Sequence, residues 1–281
     1  MRPLDKIIIQ DLELYCRHGV FPEENALGQK FLFSAILYVT TRQAGKKDDL
    51  ELSVNYGEIC HFIRQYMEEH TYKLLEAALE HLAEAILLRW PQIGKLTLKV
   101  KKPWAPVGLP LDTVAVEITR GWHDAYIALG SNMGDKKEYL DCAVEALRER
   151  QDCQVVRVSD YIVTAPYGVT EQPEFLNGAL LLRTLLEPEE LLEVLHEIEA
   201  GADRVRILRW GPRTLDLDIL LYDDLVLDTE ELHIPHIDMK NRDFVLDPLA
   251  QIAPWVRHPV LNKTIEQLKG ELHDRLKGTQ G

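Results

Sequence analysis

Two aspartates, Asp216 and Asp218, stand two residues apart in the short apolar run 215–222, just after the breakers Gly211 and Pro212. A strand alternates its side chains between faces, so both carboxylates point one way while Leu217 and Ile219 turn toward a core. Carboxylates held side by side repel unless a cation or basic group lies between them. Arg204, Arg206, Arg209 and Arg213 lie just upstream, with no acidic residue from 204 to 215. Hard oxygen ligands beside an arginine cluster are what magnesium and a polyphosphate require together. The same spacing also suits a solvated edge strand with scattered surface ion pairs.

Such groups need a frame. The first half of the chain reads strand, strand, helix, helix, strand, strand. Residues 6–16 and 30–41 are β-rich, and in the second run Phe31, Phe33, Ala35, Leu37 and Val39 share a face. Asn55 predicts an N-cap for a helix to about residue 69, and 74–90 predicts another, closed by Pro91 and Gly94. Strands return at 96–101 and 112–120. Helices inserted in the middle of a sheet give an α+β arrangement. The second half reads strand from Ala125, helix over about 135–150, strands at 154–163 and 175–186, helix at 188–200 and the aspartate strand, followed by an acidic, proline-interrupted tail.

A chain of 281 residues suggests two domains, and the boundary falls between 121 and 124, giving domains 1–121 and 125–281. The net charge of −14 is uneven: residues 1–122 carry 15 basic against 16 acidic groups, the remainder 17 against 30. Long-range attraction of nucleic acid is therefore not expected, and a polyanion bound by the second half must be held by a local cluster and a metal. No run has the length of a membrane span and the start is not a signal peptide, so a cytoplasmic protein without a membrane partner is expected. Cys16, Cys60, Cys142 and Cys153 show neither a C-x-x-C pair nor zinc spacing, and read as reduced thiols.

Three further segments accompany the aspartate strand in the second half: Gly130-Ser-Asn-Met-Gly134, Gln172-Pro-Glu-Phe-Leu-Asn177 and Pro235-His-Ile-Asp-Met-Lys-Asn-Arg-Asp-Phe-Val-Leu246. With them the stretch 125–275 closely resembles 6-hydroxymethyl-7,8-dihydropterin pyrophosphokinase. The resemblance implies a ferredoxin-like α+β domain that transfers a pyrophosphoryl group from its substrate ATP to the pterin hydroxymethyl, leaving AMP. It assigns two Mg2+ ions to Asp216 and Asp218, catalytic roles to Arg204 and Arg213, and triphosphate contacts to Arg204, Arg206, Arg213, His236 and Arg242. Paired metals stabilise the attacking and leaving oxygens of an in-line displacement. The pterin is expected between Phe175 and Phe244, with Asn177 and the backbone of Thr164 to Pro166 reading its polar edge and Trp210 closing over it. Taken alone, Phe175 and Phe244 read first as core packing, and Asn177 reads equally as a satisfied turn or strand-edge amide. Phe175 replaces a common tyrosine, Ile237 offers no phosphate contact, and the arginine loop is one residue shorter than in some relatives.

The first half carries His18-Gly-Val-Phe-Pro-Glu-Glu-Asn-Ala-Leu-Gly-Gln29, Val54-Asn-Tyr-Gly-Glu58, Lys73-Leu-Leu-Glu76 and Lys102-Pro103. Together these resemble dihydroneopterin aldolase over 4–121. The resemblance implies a tunnelling-fold-like antiparallel sheet with two helices, assembled into a homo-oligomeric ring with pterin sites between subunits. It implies retro-aldol cleavage releasing glycolaldehyde, with no cofactor because the dihydropterin ring accepts the electrons. Lys102 is the implied proton-transfer group, Tyr56 its partner at the substrate hydroxyl, Glu76 the anchor of the pterin edge and Glu24 a loop carboxylate reaching the side-chain hydroxyls or a water. Lys102 alone reads as a solvated strand end, Tyr56 as packing, and Glu80 shares the helix face of Glu76. The expectation is a bifunctional enzyme acting on small pterins and ATP. Its rivals are a chain with one active half, a pterin- or nucleotide-binding module, and a related pterin epimerase.

Overall fold

The computed structural model describes residues 4–166, 172–202 and 214–278. The chain forms two compact units, Met1–Trp122 and His123–Gly281. In the first, β1 (Asp5–Cys16), α1 (Pro22–Leu27), β2 (Gln29–Val39), α2 (Arg42–Lys47), α3 (Tyr56–Glu69), α4 (Leu75–Arg89), β3 (Lys95–Lys102) and β4 (Val114–Gly121) follow in order. The four strands make one antiparallel sheet, β1-β2-β3-β4, with β1 and β4 at its edges.

Periodicity explains the packing. Phe31, Phe33, Ala35, Leu37 and Val39 are buried, as are Leu96, Leu98 and Val100 on β3. Ile59, Ile63 and Met67 of α3 and Leu79, Leu82 and Ile86 of α4 are buried too, at the spacing of one helical face. Asn55 caps α3, its Oδ1 accepting from the N–H groups of Gly57 (3.0 Å) and Glu58 (3.4 Å). The short helix α1 is not foreseen in the sequence. Pro22 opens it, and the Phe21 N–H is met by Glu24.

In the second unit β5 (His123–Ser131), α5 (Lys136–Arg148), β6 (Cys153–Val158), β7 (Ile162–Thr164), β8 (Phe175–Thr184), α6 (Pro188–Gly201) and β9 (Asp216–Tyr222) are followed by β10 (Leu227–Asp228), β11 (His233–Ile234), α7 (Asp243–Ile252) and α8 (Ile265–Gly278). The main sheet runs β6-β8-β5-β9, with β7 also on β8. Two β-α-β halves interleaved in this antiparallel order make a ferredoxin-like layer. One face packs on α5 and α6 through residues such as Ile127, Leu140, Leu182, Leu195 and Leu217. The other packs on α7 and α8 through Ala179, Leu220, Leu246, Leu249 and Leu268.

One expectation is corrected, and one stretch gains elements that the sequence reading leaves unassigned. The single strand expected at 154–163 is two, because the Ser159 hydroxyl accepts the Ala179 N–H (2.9 Å) and interrupts the ladder. The acidic tail carries two helices, α7 and α8. Pro248 lies inside α7 and hides it from a sequence reading, yet Val245, Leu246, Leu249 and Ile252 are buried against the sheet, and packing of that face outweighs the missing N–H. All four cysteines are free thiols.

Two candidate active sites

At one end of the first sheet, β3 finishes in Lys102, a residue only 8 % exposed. Its Nζ lies 2.5 Å from Glu24 Oε1 and 5.7 Å from the centre of the Phe31 ring. The charged-strand reading of Lys102 therefore gives way to a nearly buried ion pair. Glu24 sits on α1 rather than on a loop. Its Oε1 also accepts from Gln29 Nε2 (3.0 Å), and its Oε2 from the Phe21 N–H (3.1 Å). Burial pushes the Glu24 pKa up, but Lys102, the Phe21 N–H and Gln29 outweigh it, and the group ends below the usual carboxylate range. A carboxylate locked onto an ammonium against an aromatic wall is a fixed proton-handling unit.

Glu76 is exposed in the first turn of α4, while Glu80 is taken by Arg120, leaving Glu76 the available carboxylate of the two. Tyr56 is 64 % exposed and begins α3. The segment just past α3 is tied beside the end of β1, since the Tyr72 N–H donates to His18 Nδ1 and the Gly19 N–H to the Tyr72 carbonyl, and there burial, helped by the Glu68 charge, raises the pKa of the Cys16 thiol to about 12. The 14 residues of α3 span roughly 20 Å at the helical rise. Among the described residues, no hydrogen bond or ion pair joins Tyr56 or Glu76 to Glu24 or Lys102. A fully buried neighbour escaped the sequence reading: His18, whose pKa is lowered to about 4 by burial and then by Lys102.

In the second unit Asp216 and Asp218 share a face of β9, both half-buried, while Leu217 and Ile219 are buried on the opposite one. Register places Gly130 of β5 between Asn177 of β8 and Asp216 of β9. A Cβ on Gly130 would come within 3.2 Å of Asn177 Oδ1, so glycine leaves a floor between amide and carboxylate. Asn177 is buried and donates to Thr164 Oγ1 (2.7 Å). Phe175, half-buried, occupies the same face two residues before it.

Beyond Asp216, His236 is tied by its N–H to the Leu220 carbonyl (3.0 Å). Its Nδ1 accepts the Asp238 N–H (3.2 Å), which places the ring proton on Nε2. Burial, then Arg242, drive its pKa down to about 4 against the pull of Asp238 and Asp216. At neutral pH His236 is an uncharged donor. Arg242 Nε donates to Asp238 (3.0 Å), and its guanidinium lies 5.8 Å from the centre of the Phe244 ring. Phe244 packs half-buried on the α7–α8 core, and Pro166 follows β7. Arg204, Arg206, Arg209, Trp210 and Arg213 lie outside the described residues. Ile237 is exposed.

Glu199, 3 % exposed, was also missed. Its Oε1 accepts the Leu217 N–H (2.8 Å), fixing the strand between the two aspartates. The available signal was an acid on the apolar stripe of α6 defined by Leu191, Leu195 and Ile198.

A two-unit α+β chain, one half with a buried lysine–carboxylate pair and the other with paired carboxylates over a glycine floor, has the build of a metabolic enzyme. Residues 7–119 match the family model of dihydroneopterin aldolase and 126–254 that of 7,8-dihydro-6-hydroxymethylpterin-pyrophosphokinase. Through its second half the chain belongs to the pyrophosphokinase family, and its first half matches the aldolase model. It is similar to a folic acid synthesis protein of Dictyostelium discoideum, 31 % identical over 293 residues, covering 95 % of this chain and 44 % of the relative. It thus spans less than half the length of that relative. Over 134 residues it is 46 % identical to the 2-amino-4-hydroxy-6-hydroxymethyldihydropteridine pyrophosphokinase of Pseudomonas aeruginosa, covering 48 % of this chain and 83 % of the relative. The crystal structure of Escherichia coli dihydroneopterin aldolase with neopterin is 28 % identical with a TM-score of 0.40, covering 42 % of this chain and all of the other.

Proposed function

We propose that the chain is a bifunctional enzyme of folate biosynthesis, cleaving 7,8-dihydroneopterin in its first unit and pyrophosphorylating the resulting 6-hydroxymethyl-7,8-dihydropterin in its second. The observation that carries the reading is the buried Glu24–Lys102 pair. Such a pair is costly to desolvate and has no packing purpose that an apolar residue would not serve.

In the retro-aldol step the C2′ hydroxyl loses its proton, the C1′–C2′ bond breaks, and the electron pair enters the dihydropterin ring. Glycolaldehyde leaves, and a proton returned to C1′ gives the hydroxymethyl product. Lys102, aligned by Glu24, moves the proton, Glu76 holds the pterin edge, and Tyr56 serves the hydroxyl. Tyr56 stands at the opposite end of α3 from Glu68, and we assign it to the cleft of a neighbouring copy. This reading supports a homo-oligomer joined through the first unit, whose edges β1 and β4 are open to pairing.

In the second unit the pterin hydroxymethyl oxygen attacks the β-phosphorus of ATP and AMP departs. Asn177 and the aromatic faces of Phe175 and Phe244 orient the pterin. His236 Nε2–H and Arg242 hold phosphate oxygens, together with Arg204, Arg206 and Arg213, and Trp210 is assigned to closing over the pterin. Asp216 and Asp218 offer hard oxygen donors on one face, a donor set that fits magnesium completed by phosphate and water. Bound there, Mg2+ supplies charge neutralisation to the triphosphate. Among the described residues no helix is long and apolar enough to cross a membrane, and a cytoplasmic site of action fits these substrates.

The test is incubation with dihydroneopterin, ATP and magnesium, following glycolaldehyde and AMP separately. Both should appear, and Asp216→Ala or Asp218→Ala should abolish AMP alone. Retention of more than about a tenth of AMP formation, a loss under ~1.4 kcal/mol, would remove the metal assignment. A chain that binds both ligands without turnover would be a binding module instead.

A further inference from the structure

We propose that His18 is a positioning residue of the retro-aldol reaction, its Nδ1 clipping the segment that carries Glu24 onto the α3–α4 junction so that Glu24 meets Lys102. The inference rests on the aldolase reading of the first unit. His18 is fully buried, edge-on to Phe31 with ring centres 5.4 Å apart and tilted on Tyr72 at 5.9 Å. The Tyr72 N–H donates to His18 Nδ1 (3.2 Å), and the Gly19 N–H donates to the Tyr72 carbonyl (2.9 Å). Two opposed hydrogen bonds, one of them to a side chain, therefore fasten His18 and Gly19 to Tyr72.

Gly19 is the surface on which the Glu24 carboxylate rests, since a Cβ there would collide with both carboxylate oxygens. Asn25 Nδ2 donates to the Gly19 carbonyl (3.0 Å) and the Arg17 carbonyl (2.9 Å), drawing the same segment closed. A shift at the His18–Tyr72 bond is thereby a shift of Glu24 relative to Lys102. An Nδ1 that accepts leaves the proton on Nε2, and the lowered pKa keeps the ring neutral above about 4. It therefore does not compete with Lys102 for the carboxylate. The buried Nε2–H has no hydrogen-bond partner among the described residues, so the bond that fixes the ring is the one at Nδ1.

Three variants separate the atoms. Asparagine places an acceptor where Nδ1 lies, glutamine places an amide near Nε2, and leucine supplies neither. His18→Leu should lower kcat for glycolaldehyde release by roughly ten-fold or more while KM for dihydroneopterin changes less than about three-fold, and His18→Asn should return kcat to within about three-fold of wild type. His18→Gln should stay as slow as His18→Leu. AMP formation from hydroxymethyldihydropterin should be unchanged in all three, reporting an intact second unit. Should His18→Leu not accumulate, a kcat for His18→Asn above that for His18→Gln supports the inference and the reverse order overturns it. An active wild type with an equally active His18→Leu overturns the inference, as does rescue by Gln in place of Asn or a change confined to KM. A wild type that releases no glycolaldehyde overturns the aldolase reading itself, and the inference with it.

Discussion

Lys102 shows how far single residues were legible. Its run Lys99-Val-Lys-Lys reads as a solvated strand end, and what buries it is Glu24, delivered by a helix between two other strands. Nothing local to Lys102 announces that partner. Asp216 and Asp218 are the opposite case, because strand alternation alone puts them on one face. Lys102→Ala should slow glycolaldehyde release by about 10²–10⁴-fold while pterin binding changes far less, as expected of a general acid–base. A normal kcat with a raised KM would make Lys102 a binding residue. A second residue-scale expectation concerns His236. Its pKa falls from 6.5 unfolded to about 4 folded, so between these values the unfolded chain binds more protons and stability falls as pH falls. Urea unfolding of the second unit should weaken from pH 6.5 toward 4, and His236→Gln should flatten that slope. An unchanged slope in the variant would mean that His236 is charged in the folded state.

Elements were legible where one period ran unbroken. The apolar face of β2 and the capped α3 follow directly from Phe31 to Val39 and from Asn55. They failed where a local device intervened: Ser159 splits a strand, Pro248 masks α7, and Pro22 starts a helix too short to show a period. The edge strand β9 depends on such a device, since Glu199 from α6 meets the Leu217 N–H. Removing that carboxylate leaves a buried donor without this acceptor, at a cost of roughly 1–3 kcal/mol. Glu199→Ala should lower the unfolding free energy of the second unit by that amount and reduce AMP formation, because the pitch of both aspartates is set there. Glu199→Gln, which keeps an acceptor oxygen, should recover most of both. Equal urea midpoints for the Ala variant and the wild type would show that the contact does not stabilise the strand.

At the scale of the whole molecule, the order of elements and the near-neutral first half were readable from sequence, but the separation of Tyr56 from Lys102 was not. It emerges only when α3 is laid along the sheet, with the segment after its C-terminal end tied to His18 and Gly19. Under the proposed function the aldolase site draws Lys102 and Glu24 from one copy and Tyr56 from another, an arrangement a symmetric assembly would provide at every interface. Lys102→Ala and Tyr56→Phe chains should each be nearly inactive in glycolaldehyde release when assayed alone. Unfolded together and refolded as a one-to-one mixture, they should regain about a quarter of wild-type activity, since one random neighbour pair in four unites an intact Lys102 with an intact Tyr56. AMP formation should stay at the wild-type level throughout, because the second unit carries neither substitution. If the mixture is no more active than its parents, Tyr56 acts within its own chain or not at all, and the shared site is wrong. Sedimentation of the same mixture separates these outcomes from a simple failure to reassemble, since the hybrid should run at the size of the wild-type oligomer.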